Sequence, residues 1–274
     1  MHDETYPNFK QFLLLVFFYL AFHFTFAFIV IIPKVFGWQL LESIRPYFTA
    51  VATPFIYLPF IIYISHKSMI RVTWRMKLPP VQLFLLMVVL AIAIRFIIQP
   101  FINPVEYFGN LIEGRFKLLR FTVPEFNLLT ATKLIILVTI VPVLEEILWR
   151  KQIFGLFLKK YSPVVAMVLS SALFACAHFQ TGIIGVIFIW GLLLSFVYYI
   201  TNSLELSILL HSIINLSAPF INHRYAAVIG IQLSDSITLI VISSFILYLA
   251  IQYLLQNRFV NKGDRVDDHL NIIK

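Results

Sequence analysis

The stretch LIILVTIVPVLEEILWR, residues 134–150, decides the reading of the fold. Up to Leu144 it is apolar apart from Thr139, and it then places two adjacent carboxylates, Glu145 and Glu146, before Arg150. A transmembrane β-barrel would alternate apolar and polar residues in ~10-residue segments. This run is continuous, as a helix in lipid requires. The surrounding chain has the same character. Of its 274 residues, 60% are hydrophobic and 12% charged, against about 25% charged in ordinary globular domains. Mean hydropathy is +0.90.

Several runs reach or approach the ~20 residues that a bilayer needs. The expected fold is all-α: a polytopic integral membrane protein with about eight transmembrane helices. The spans fall near 11–33, 47–65, 81–103, 129–158, 163–180, 183–200, 204–221 and 233–256. The first lacks a small-residue cleavage site and is too long for a signal h-region, so it is expected to stay as an anchor. Pro54, Pro59 and Pro142 lie inside spans and predict kinks. No repeat or low-complexity tract interrupts the chain, so residues 1–274 read as a single transmembrane domain.

The formal charge of +8 sits between apolar spans. There it sets topology and does not point to nucleic acid. Lys10, four basic residues in 66–77, four in 150–160 and four in the tail would share one side of an eight-span chain. Both termini are therefore expected in the cytoplasm. Segment 104–128 mixes acids and bases and is expected along the outer surface as an amphipathic helix. The single cysteine, Cys176, rules out an internal disulfide and reads as packing.

An ionisable residue inside a span is a functional candidate by default. His23, Arg95, Glu145, Glu146, His178 and His211 qualify, with Asn215 as an amide. Arg150 follows Glu146 by four residues and shares its helical face. Pairing there leaves Glu145, about 100° around the helix, free to point elsewhere. Each group also has a plain structural reading. The glutamates can mark a cytoplasmic helix end, His178 can be a packing residue, and His211 with Asn215 can be helix–helix glue. His23 is read as packing, and Arg95 has no obvious partner.

Together they make a stronger case. With a turn near Tyr161 and Ser162, antiparallel spans four and five bring Glu145 and His178 to one depth. His211 on span seven matches more loosely, by about 5–10 Å. A carboxylate, two imidazoles and an amide suit acyl-bond hydrolysis, supplying a base for water, a proton carrier and an oxyanion donor. Glu145, His178 and His211 also suit Zn²⁺ with an open position. Zinc is thus a candidate cofactor with these three as its ligands.

At this point the sequence resembles the CAAX protease and bacteriocin-processing (CPBP, or Abi) intramembrane proteases, which include the type II CAAX prenyl endopeptidase. EEILWR matches the family's EExxxR motif, FACAH its FxxxH motif at Phe174 and His178, and HSIIN its HxxxN motif at His211 and Asn215. The resemblance covers about residues 129–221, the motif-bearing core. It implies that Glu145 and His178 activate water, and that His211 and Asn215 complete the site and steady the oxyanion. Glu146 and Arg150 would be the structural pair that aims Glu145. It leaves a glutamate mechanism and a metalloprotease both open.

The implied substrate is a membrane-associated peptide, prenylated and CAAX-like or bacteriocin- or signal-peptide-like. The catalytic cavity would lie between spans four, five and seven. The Ile- and Phe-rich spans point to a bacterial plasma membrane. Two other classes compete. One is a non-enzymatic immunity or regulatory protein on the same scaffold. The other is a transporter, against which the lack of duplicated halves argues.

Overall fold

The computed structural model describes residues 10–11, 14, 16–19, 21–22, 24–25, 36–37, 57–67, 79–98, 101, 120–121, 128–178, 183–217, 221–222 and 233–257. The architecture is helical. In chain order the helices are α1 (57–67), α2 (Val81–Ile97), α3 (Leu128–Val138), α4 (Ile140–Glu146), a π-helix (Ile147–Phe154), α5 (Gly155–Leu158), α6 (Pro163–Ala177), α7 (Ile184–Thr201), α8 (Leu204–Ser217) and α9 (Leu233–Asn257). A two-residue antiparallel pair, β1 (Arg120–Phe121) with β2 (Ile221–Asn222), ties the segment before α3 to the segment after α8.

The expected fourth span is not one uniform helix. It breaks at Thr139, whose φ of −112° departs from helical values. Pro142, three residues on, has no N–H to offer the Val138 carbonyl. The Thr139 hydroxyl donates back to the Ile135 carbonyl at 2.6 Å. Past Glu146 the chain widens into eight residues of π-helix, a rare geometry that clusters at functional sites. This stretch buries Leu148, Trp149, Arg150, Gln152 and Phe154.

Among the described residues, Ile184–Thr201 and Thr238–Gln256 are long and apolar enough to cross a membrane. Val81–Ile97, Pro163–Ala177 and Leu204–Ser217 are shorter apolar helices. The outward faces are apolar, with Phe17, Val164, Val241 and Phe245 exposed. Lipid provides the physical reason to leave such side chains outside.

Sharp turns set the helix order. Pro163 takes the first position of α6, where its missing N–H costs nothing. Asn202 ends α7 in the left-handed conformation at φ 48°. The Ser203 hydroxyl then accepts from Leu206 N–H at 3.2 Å and starts α8. Helices α6 and α7 approach closely through small residues. A Cβ on Gly191 would lie 3.0 Å from Ser171 Cβ and 3.3 Å from the Phe174 ring.

Two apolar clusters form the interior. One joins Tyr57, Ile61, Leu148, Trp149, Phe154 and Phe174. The other joins Met87, Leu90, Leu194, Leu210, Ile214 and Leu254. Where α4 meets α8, the polar motif residues lie between them.

Candidate active site

Glu145 and Glu146 close α4, and both are buried. Adjacent helical residues point about 100° apart, and the two carboxylates here have separate partners. Glu146 Oε2 lies 3.1 Å from Arg150 Nε, one turn on, and accepts from the Ser207 hydroxyl at 2.7 Å. Glu146 Oε1 accepts from His211 Nδ1 at 2.8 Å. The expected Glu146–Arg150 pair therefore forms, but it is one part of a larger network.

Arg150 is fully buried, and its guanidinium stands 4.6 Å from the centre of the Phe174 ring. One carboxylate and one ring face compensate the cation. The same ring packs 4.6 Å from His178 and 6.0 Å from His211, centroid to centroid. Phe174 thus touches three members of the constellation.

His178 follows the last residue of α6. The final carbonyls of a helix lack intrahelical partners, and the Phe174 carbonyl lies 2.8 Å from His178 Nδ1. A carbonyl only accepts, so Nδ1 carries the proton. The Nε2 lone pair of the neutral ring then faces Glu145 Oε1 at 3.6 Å. His211 repeats the arrangement. Its Nδ1 donates to Glu146, and its Nε2 faces Glu145 Oε2 at 3.6 Å. Both separations exceed hydrogen-bond length. They fit groups that act through a small species held between them.

The loose depth match expected for His211 does not persist, since it reaches Glu145 as closely as His178 does. Asn215, one turn further along α8, donates to the Leu137 carbonyl at 3.0 Å beside the α3–α4 break. Arg95 lies on α2, 5.7 Å from the Trp190 ring. His23 is outside the described residues.

Two site residues were not foreseen. Ser207 precedes His211 by four residues, so a helical-face reading of α8 would have found it. Tyr57 donates to Glu145 Oε1 at 2.7 Å from 88 residues upstream, and no local pattern marks it.

Two imidazole lone pairs and a carboxylate are chemically suited to a cation. However, Glu145 Oε1 already accepts from Tyr57, and the histidines approach different oxygens. Among the described residues, no three His, Cys, Asp or Glu side chains are arranged to hold a metal ion.

Residues 127–217 match the family model for type II CAAX prenyl endopeptidase Rce1-like proteins. The chain carries an Rce1-like domain. This bears out the resemblance read from the three motifs, all of which lie inside the matched segment. The matched segment is similar to that of type II CAAX prenyl endopeptidases and covers about a third of the chain. No curated protein and no solved structure matches the chain.

Proposed function

We propose that this protein is an intramembrane endopeptidase in which Glu145 and His178 activate water to cleave a peptide bond. The observation that carries the reading is the convergence of two Nε2 atoms on the Glu145 carboxylate, each with its Nδ1 tied elsewhere. Water between these groups donates one O–H toward Glu145 and the other toward His178 Nε2. Glu145 takes a proton as the water oxygen attacks the carbonyl carbon. The tetrahedral oxyanion receives N–H donation from Asn215, which spends one N–H on Leu137 and keeps a second. His211 adds a donor from Nε2 when its ring carries both protons. The C–N bond then breaks, and the departing amine takes the proton back from Glu145, relayed by His178.

Glu146, Arg150 and Phe174 support the site. Glu146 holds the His211 tautomer, as a carboxylate partner does for a working imidazole. Arg150 and Phe174 hold Glu146 and both rings in place. The substrate is a membrane-associated peptide, either prenylated and CAAX-like or resembling a bacteriocin or signal peptide. The whole chain forms one transmembrane domain of eight spans with both termini in the cytoplasm of a bacterial cell. Its catalytic core is 129–221, and its cavity lies between spans four, five and seven. The apolar composition and the basic-residue distribution support this placement.

The test is Glu145→Gln, which keeps shape and removes the base. Cleavage of internally quenched peptides, with and without a farnesylated cysteine, should fall by roughly 10²–10⁴-fold. Insertion and purification should be unchanged. Retention of more than about a tenth of the wild-type rate would exclude Glu145 as the base. A preference between the two peptides separates the substrate classes.

A further inference from the structure

Tyr57 lies outside the matched domain, on α1, and it is buried. Its hydroxyl meets Glu145 Oε1 at 2.7 Å. Its ring packs 5.9 Å from that of Tyr19, which stands edge-on to Phe60 at 5.2 Å and to Trp149 at 5.4 Å. This aromatic group holds the hydroxyl against Oε1, the oxygen that His178 Nε2 also faces at 3.6 Å. Glu145 Oε2, by contrast, accepts no hydrogen bond among the described residues.

We propose that Tyr57 is a positioning residue for the carboxylate of Glu145, pinning Oε1 and so setting the plane in which the carboxylate faces the attacking water. The proposal rests on the reading of Glu145 as the base. The terminal torsion of a glutamate is broad and roughly two-fold. The two imidazole Nε2 atoms stand 3.6 Å from the carboxylate, too far to hold its plane as tightly as a short hydrogen bond. One short charge-assisted O–H···O bond supplies the hold. On this account the core 129–221 is chemically incomplete without α1, because the residue that orients its base comes from the N-terminal third. No sequence pattern in α1 marks this, since a single hydroxyl on an apolar helix suffices.

The experiment compares full-length wild type, Glu145→Gln, Tyr57→Phe and a variant with para-aminophenylalanine at position 57. All are assayed in detergent on the internally quenched farnesylated peptide, beside melting curves. Tyr57→Phe keeps the ring and its packing and removes only the donor. Its kcat should fall about 10- to 100-fold, the scale of one hydrogen bond to a charged group. KM and melting temperature should stay near wild type. The para-amino variant restores an N–H donor at the same place and should recover part of kcat, which a purely structural role would not predict.

A Tyr57→Phe kcat within twofold of wild type, with Glu145→Gln inactive, overturns the proposal and leaves Glu145 as base. A rise in KM alone makes Tyr57 a substrate contact and also overturns it. So does failure of Tyr57→Phe to fold, because the bond is then a folding determinant. Activity in Glu145→Gln removes the base reading, and this proposal falls with it.

Discussion

Glu146 and His211 face each other between α4 and α8, Oε1 to Nδ1, at 2.8 Å. His211 and the Ser207 hydroxyl, the latter at 2.7 Å, donate to this buried carboxylate, and Arg150 stands 3.1 Å away as its ion-pair partner. The second glutamate of the EE pair is therefore a hub that joins the two helices of the site. It also fixes the tautomer of one imidazole.

Glu146→Gln should lose both activity and stability. The amide accepts on one atom only and strands the Arg150 cation. Removing one partner of a buried pair costs about 3–5 kcal/mol. A Glu146→Gln, Arg150→Gln double variant should regain part of the melting temperature, because no charge is left stranded. Activity should stay low in both, since the His211 tautomer is no longer enforced. Melting curves beside cleavage assays separate the two effects. A double variant no more stable than the single would refute the pairing.

Phe174 should tolerate little. Phe174→Leu keeps apolar bulk but removes the ring face under Arg150, a loss of about 0.5–2 kcal/mol. Phe174→Ala also opens a cavity, at about 3–5 kcal/mol. The order in melting temperature should be wild type, then Leu, then Ala. Activity should already be reduced in the Leu variant, since both imidazoles pack on that ring.

Gly191→Ala tests the close approach of α6 and α7. The new Cβ would meet Ser171 Cβ at 3.0 Å and Phe174 at 3.3 Å. Overpacking of this kind costs about 1–3 kcal/mol. The strain acts on Phe174, so cleavage should drop together with stability. Adding Ser171→Gly removes the facing Cβ and should restore part of both. No recovery in the pair would show that the strain is carried elsewhere.

Cleavage should persist after exhaustive treatment with a strong chelator, with no metal near one equivalent in the purified protein. The reason is the donor arrangement: Tyr57 occupies one oxygen of Glu145, and the histidines address separate oxygens. Metal analysis with chelation and add-back checks this. Activity lost on chelation and regained with zinc would reverse it.

Cysteines placed near residues 70 and 262, in a Cys176→Ser background, should be labelled by an impermeant reagent only after the membrane is opened. This follows from the basic residues around those positions. Labelling of both sites from outside would overturn the eight-span topology.

Much was legible in the sequence because the signals were local. Continuous apolar runs made the fold helical, since backbone groups in lipid are satisfied only within a helix or a closed barrel. Spacing of four residues placed Glu146 with Arg150, and Phe174 with His178, because that interval is one helical turn. The three motifs were enough to indicate an Rce1-like domain.

The tertiary structure decided what spacing along one helix cannot. The Thr139 break and the π-helix reshape what the sequence presents as one uniform run. Only helix packing could show that His211 bridges both glutamates, with Nδ1 on Glu146 and Nε2 toward Glu145. Only packing could bring Tyr57 to Glu145 across 88 residues. A contact between distant segments depends on how helices pack and turn about their axes, which apolar periodicity leaves free when lipid covers the outer face. The sequence alone determined the chemical groups and the helices that carry them. The packing of those helices determined which nitrogen faces which oxygen.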